Sequence, residues 1–385
     1  DNDPESFATV ADYYAQLKTE QLTDSGAKKD NFHFSEPTED YFQEAQSGVT
    51  SGYGINWAFI GDTADRILRV AYLEDDSPAS QIGFQRGDTV LSVDGVSINT
   101  NIQSGVDTLN EGLFSPTIVV RSNDGAEKTF NVTAGNIEQT PVQNVKTITT
   151  ANGSSVGYMQ FNSHISIAQE GLIDAVNKFK TDGIDELVID FRYNGGGLLA
   201  LSAQLAYMVA GTGENLPDLN LSKVYVLSTS GTCSASEAFI NGLKGIDAEV
   251  ILIGDTTCGK PYGFTPTHNC ATTYYTIQFS GVNSKGFGEY AAGFTPTPTP
   301  QFDADVQGCE IEDDFDHQLG DSDEAVLATA LFHVENGNCP IRTAAAKAEP
   351  ANFSSSRESL IPLNMPEQFT QRNMDLTWPT LSEER

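Results

Sequence analysis

The sequence predicts mixed strand and helix content: a helical N-terminal segment, then a stretch of short β elements, then a larger region in which strands run into helices. Three observations carry this. Buried-strand runs, Leu187-Val188-Ile189, Val224-Tyr225-Val226-Leu227 and Val250-Ile251-Leu252-Ile253, are each followed by glycines or small residues. Between residues 48 and 138 the β runs are shorter and bounded by turn signals. Thr89 to Val93 alternates ahead of Asp94-Gly95, while Thr117-Ile118-Val119-Val120 and Lys128-Thr129-Phe130-Asn131-Val132 flank Asp124-Gly125. Near the start, Phe7 to Leu17 and Thr38 to Gln46 have amphipathic helical spacing, which predicts a cap packed on the body over residues 1–47.

A length of 385 residues with 39% apolar content exceeds what one core usually serves and is enough for two domains with extensions. The 21 Lys and Arg against 53 Asp and Glu give a net charge of -32. Such a surface repels phosphate backbones and anionic lipid, so nucleic acid is excluded as an expected partner. No run reaches the roughly 18 to 20 apolar residues of a membrane span. The polar start Asp1-Asn2-Asp3-Pro4-Glu5 lacks a leader's basic-then-apolar pattern, so the chain reads as a mature form with its signal removed. Cysteines stand at 233, 258, 270, 309 and 339, an odd count that leaves one unpaired if the others bridge. Neither Cys-x-x-Cys nor paired histidine spacing occurs, and no metal site is expected.

The chemistry concentrates in Thr232-Cys233-Ser234-Ala235-Ser236-Glu237, read together with Gly259-Lys260. Ser234 falls where the strand Val224 to Leu227 gives way to the apolar helix-like stretch Ala238 to Leu243. Amides at a helix start lack intrahelical partners and the dipole there favours negative charge, which suits an oxyanion. Lys260 follows the strand Glu249 to Gly254, and adjacent strands bring serine and lysine together. A serine hydroxyl is a poor nucleophile, and lysine serves as its base only where burial leaves the amine neutral. A third element, Leu187 to Asn194 followed by Gly195-Gly196-Gly197, exposes backbone N–H groups at close range. On the residues alone, Ser-Ala-Ser-Glu also reads as a helix cap with Ser236 as the capping residue, and the three glycines as a tight turn. Two histidines bear weighing. His268 offers a Ser-His alternative, and His164 reads as a satisfied polar group at the cleft rim.

These three segments, in this order, resemble the C-terminal processing peptidases, also called tail-specific proteases. The resemblance rests on Asp190-Phe191-Arg192-Tyr193-Asn194-Gly195-Gly196-Gly197, on Ser234-Ala235-Ser236-Glu237 and on Gly259-Lys260. It implies an α/β, crotonase-like peptidase core over residues 139–340 that needs no cofactor. It assigns Ser234 as nucleophile, Lys260 as general base, and the amides of Ala235 and of Gly195 or Gly196 as oxyanion donors, with Asp190 and Arg192 tying the turn. One departure stands out: the family carries Gln four positions after the lysine, where this chain has Phe264. Tyr262 and Thr265 are the nearest polar substitutes.

Within residues 48–138, the stretch Asp76 to Gly95 resembles a PDZ domain, a unit that captures extended peptides by strand addition. Ser51 to Asn56 fits its carboxylate-holding loop, which makes Gly52, Tyr53, Gly54 and Ile55 the candidate peptide-binding residues, Tyr53 and Ile55 as groove walls. Together the resemblances imply a serine endopeptidase acting on extended or C-terminally presented polypeptides in a bacterial periplasm or outside the cell, a setting compatible with a lipid anchor in a longer form. The rival reading, motivated by Phe264, is a PDZ-containing peptide-binding scaffold with a degenerate site. In an oxidising compartment Cys258–Cys270 is expected to clamp the Lys260 loop and Cys309–Cys339 to staple the terminal helix, with Cys233 left a thiol. Gly293 to Pro300 is expected to be a proline-rich surface loop, Ala325 to Val334 a closing helix, and 341–385 an extension without clear period.

Overall fold

The computed structural model describes residues 3–21, 32–60, 67–98, 109, 115–213 and 216–341. Apart from Ile341, the C-terminal extension lies outside these residues.

The apolar runs of the second half form the centre of a seven-stranded sheet. In spatial order its strands are Val142–Thr149, Ser155–Phe161, Glu186–Asp190, Lys223–Ser228, Glu249–Gly254, Asp305–Glu310 and Thr295–Thr297. The first pair is antiparallel and every later pair parallel. Parallel strands are covered on both faces, which is why these runs read as continuous apolar stretches. Alternation divides them between two cores. Met159, Phe161, Leu187, Ile189, Val224, Val226 and Leu252 pack beneath the helices Ala168–Asp182, Leu199–Ala210 and Ala235–Gly245. Tyr158, Val188, Tyr225, Leu227, Ile251 and Ile253 face the helix Ala325–Asn336 on the other side. The proline-rich stretch is a correction: Thr295–Thr297 is an edge strand paired with Asp305–Gln307, a position where proline's missing N–H costs no ladder bond.

Ahead of this core, antiparallel strands Ile55–Ile60, Ile67–Leu73, Thr89–Val93, Thr117–Arg121 and Glu127–Asn131 make the β sheet of the PDZ-like unit, with Val96–Ser97 paired to Thr89–Val93. The Asp-Gly turns fall where expected, and Asp94 and Gly95 both take positive φ, as a tight hairpin requires. Strand Ile55–Ile60 ends the strand order, as strand addition needs. Tyr53 and Ile55 depart from expectation: they are 1% and 0% exposed within the unit's hydrophobic core, so they are not open groove walls.

Arg86, buried at the edge of this unit, locks it to the peptidase-like core. Its guanidinium donates to the carbonyls of Ala71 and His317, to Tyr193 Oη and to Asp313. Asp313 in turn accepts from Arg192. The contact thus ends at the turn that precedes the three glycines. The N-terminal segment docks elsewhere. Helices Val10–Leu17 and Thr38–Ser47 form close to the expected bounds, and strand Phe34–Pro37 pairs antiparallel with Thr272–Tyr275.

Candidate active site

Three turns meet at the carboxyl ends of adjacent parallel strands, where ligand crevices of open α/β sheets lie. They follow Glu186–Asp190, Lys223–Ser228 and Glu249–Gly254, and carry Asn194 to Gly197, Ser234, and Lys260 respectively.

The first turn is held by buried charge. Arg192 is fully buried and pairs with Asp190, Asp313 and Glu324. Tyr158 Oη also donates to Asp190. Burial alone would lower the Arg192 pKa, but three carboxylates outweigh it and hold the guanidinium charged. Asp190 and Arg192 thus occupy a tying position in the structure. Beyond them, Asn194 organises the glycines. Its Nδ2 donates to the Phe161 carbonyl at 2.8 Å and its Oδ1 accepts from Gly196 N at 3.0 Å. This removes the Gly196 amide from the oxyanion donors expected from sequence. The Gly195 and Ala235 N–H groups, by contrast, have no protein partner among the described residues. Gly197 is required as glycine: its φ is 130°, and a Cβ there would lie 2.4 Å from the His164 carbonyl oxygen.

His164 is behind this turn and wholly buried, not at a rim. Its backbone N–H donates to Gly196 O, and its carbonyl accepts from Leu198 N. The ring Nδ1 lies 3.0 Å from Asn194 Oδ1. Because that oxygen is an acceptor, Nδ1 carries the proton and Nε2 holds a bare lone pair, which has no partner among the described residues. Burial pushes its pKa down to about 4, against the opposing hydrogen bonds to Asn194 and Gly196, so the ring is neutral near pH 7. His268 lies away from this cluster. It is exposed, bonds Thr273 Oγ1 and packs on the Tyr41 and Phe42 rings.

Ser234 starts the helix Ala235–Gly245 with φ 56° and ψ -108°. A non-glycine residue in such a region costs on the order of 1–3 kcal/mol and persists only where its surroundings over-determine it. They do so here. Cys233 N and Ser236 Oγ both donate to Asn194 O at 3.0 Å, Thr232 Oγ1 donates to Phe191 O, and Cys258 N donates to Thr232 O. Ser234, not Ser236, is therefore the residue at the helix cap. Its Oγ is buried without a hydrogen-bond partner among the described residues, so serine and lysine do not share a hydrogen bond in this conformation. Catalytic hydrogen bonds commonly close only with substrate in place.

Glu237 joins the serine and lysine turns, a role the sequence reading left unassigned. Its Oε1 accepts from Thr257 Oγ1 at 2.6 Å and Gly259 N at 2.7 Å; its Oε2 accepts from Ser234 N at 2.9 Å and Lys260 N at 2.8 Å. The cap reading of Ser-Ala-Ser-Glu placed the cap at Ser236, whereas Glu237 reaches back to the N–H of Ser234 and also holds a loop beyond the next strand. Burial raises the Glu237 pKa and those four bonds oppose it. The Lys260 side chain is fully buried, and burial holds its pKa well below the usual lysine range although the Glu237 charge acts the other way. Thr265 is exposed and its backbone bonds the Gln278 side chain, which removes it as the substitute for the missing Gln. Tyr262 is half-buried with its ring against Phe32, and Phe264 is in a fully buried aromatic cluster.

The cysteine pairing corrects the expectation. Cys233 bonds Cys258, which staples the serine turn to the lysine turn, and Cys270 is the exposed free thiol. Cys258 and Cys270 are close in sequence, but Cys270 is exposed at the tip of the hairpin Thr267–Asn269 to Thr272–Tyr275. Cys309–Cys339 forms as expected. Among the described residues, the potential metal donors that cluster are Cys233, Glu237 and Cys258, and the disulfide consumes two of the three. Among the described residues, no helix is long and apolar enough to cross a membrane.

Residues 155–269 match peptidase family S41, and residues 69–109 match the PDZ domain. A carboxyl-terminal-processing protease of Picosynechococcus is 28% identical over 246 residues, covering 56% of this chain and 55% of its own. The chloroplastic carboxyl-terminal-processing peptidase 1 of Arabidopsis thaliana is 25% identical over 244 residues, 57% of this chain and 50% of its own. The chain therefore spans about half the length of these relatives. A crystal structure from Bacteroides fragilis, assigned to the S41 proteases, shares the fold with a TM-score of 0.63 at 20% identity, over 88% of this chain and 92% of that one. The chain is thus similar to carboxyl-terminal-processing proteases, with an S41-like segment that carries both Ser234 and Lys260 and a PDZ-like segment ahead of it.

Proposed function

We infer that this chain is a serine endopeptidase that cleaves extended or C-terminally presented polypeptides with a Ser234–Lys260 dyad. The observation that carries this is the Glu237 carboxylate, which binds the backbone of both residues and so sets a free hydroxyl and a buried amine at one helix start. In the mechanism, neutral Lys260 takes the Ser234 proton and the alkoxide attacks the scissile carbonyl. The Ala235 and Gly195 amides receive the oxyanion, the protonated lysine supplies the leaving amine's proton, and water hydrolyses the acyl-enzyme. A fluorophosphonate probe is expected to label wild-type protein at Ser234 and to leave Ser234→Ala unlabelled. Folded wild type that takes no label, or takes it elsewhere, would overturn the assignment. For the substrate class, a peptide with a free carboxylate is expected to be cleaved faster than its C-terminally amidated twin, through the Gly52 to Ile55 loop. Equal rates would remove that part.

Two disulfides in the described residues support an oxidising compartment, periplasmic or extracellular. The Cys233–Cys258 bond, with a sequence separation of 25, constrains the unfolded chain by about 3 kcal/mol on the loop-entropy account. It also joins the turns that carry both members of the dyad. Graded reduction is expected to lower peptide turnover before circular dichroism reports unfolding. Turnover that survives complete reduction of this bond, confirmed by alkylation of Cys233 and Cys258, would show that the Glu237 bonds suffice.

A further inference from the structure

The Lys260 amine has aromatic neighbours from two distant parts of the chain. Its Nζ lies 5.0 Å from the Phe32 ring centroid and 5.2 Å from that of Phe264. Phe264 is fully buried, with Phe34 and Tyr275 edge-on to it at 6.0 and 5.0 Å. Phe34 stacks on Tyr275 at 4.1 Å, and strand Phe34–Pro37 is hydrogen-bonded to Thr272–Tyr275. Phe32 precedes this strand, so its place over the amine is fixed by β pairing and by its contact with Tyr262 at 6.1 Å. We propose that Phe32 is a positioning residue for the base: with Phe264 it walls the Lys260 amine away from water, which makes the N-terminal segment part of the active site. This rests on Lys260 being the base.

Two ring effects oppose each other. A ring face attracts an ammonium, whereas exclusion of water disfavours it. Burial is the larger influence at this amine. The titratable groups on the elements around it are Glu237 on the nucleophile helix, Tyr262 on its own loop, His33 just ahead of the N-terminal strand, and the Glu36–Tyr275 pair on that strand and its partner. Of these, Glu237 is the one whose charge acts on the lysine. Removing a wall therefore admits water and favours the ammonium, and catalysis must wait for higher pH.

The test compares Phe32→Ala with Phe32→Leu, which keeps an apolar wall without a ring. Two readouts are taken across pH: kcat/KM, and the Lys260 13Cε resonance in lysine-labelled protein, assigned by its loss in Lys260→Met. For Phe32→Ala, the acid limb of the rate profile and the resonance midpoint are both expected to rise by about one pH unit. The rate near neutrality should fall about tenfold, recover at high pH, and lose kcat instead of raising KM. Phe32→Leu should stay within about twofold of wild type. If Phe32→Ala moves neither midpoint, or lowers the rate uniformly across pH, the proposal is overturned. If the resonance moves and the rate profile does not, the wall is upheld and the lysine-base reading fails instead.

Discussion

Lys260→Arg is expected to lower kcat/KM by at least a thousandfold, about 4 kcal/mol of barrier, with the fold retained. General bases supply roughly 10²- to 10⁴-fold, and a guanidinium stays protonated at any workable pH, so it cannot accept the Ser234 proton. The buried site strengthens the argument, because water cannot readily substitute as base at a wholly buried serine and lysine. Arginine in so tight a pocket risks strain, so Lys260→Met provides the second variant: it keeps the apolar stem and removes the amine. In wild type, kcat/KM should rise with pH through an apparent pKa well below the usual lysine range, since protonated Lys260 is inactive and burial disfavours that form. Retention of more than about a tenth of wild-type turnover in folded Lys260→Arg, a loss under roughly 1.4 kcal/mol, would sink the lysine-base assignment.

What the sequence made legible follows from how local each signal is. The parallel strands were readable because residues such as Val188 and Ile189 are buried on opposite faces of one strand, leaving no polar alternation. The Asp94-Gly95 and Asp124-Gly125 hairpins were readable because their turn chemistry is contained in two residues. Three glycines in a row announced an amide-rich turn, but not that Asn194 takes the Gly196 N–H and leaves Gly195 open. That choice depends on Phe161, which ends another strand, and on His164 just beyond it. Sequence proximity misled at Cys258 and Cys270, because Cys270 is carried on the tip of a hairpin, while Cys233 reaches Cys258 across adjacent parallel strands. Phe32 over Lys260 and Arg86 on Asp313 carry no periodic or motif signal, since each joins segments hundreds of residues apart in the chain.

The second large effect is expected at Glu237, where even the isosteric change to Gln should fail. The carboxylate receives four buried donors, two on each oxygen: Thr257 Oγ1 and Gly259 N on one, Ser234 N and Lys260 N on the other. A Gln amide has one acceptor oxygen. Whichever way it is turned, its NH₂ faces two N–H or O–H donors, which leaves buried polar groups unpaired at about 1–3 kcal/mol each. Breaking such a network is expected to cost roughly 3–5 kcal/mol of stability, though these losses do not add simply. In a domain of this size that lowers Tm by about 6–20 °C. Turnover should fall more than a hundredfold even where circular dichroism shows the variant folded, because Ser234 loses the bond that holds its strained φ and Lys260 loses its backbone anchor. A pH profile separates this role from bulk stability. The Glu237 charge raises the Lys260 pKa, so its removal should shift the residual activity's acid limb to lower pH, opposite to the shift expected for Phe32→Ala. If Glu237→Gln melts within about 2 °C of wild type and keeps half its turnover with an unmoved limb, the carboxylate is dispensable and the Cys233–Cys258 bond alone joins the two turns.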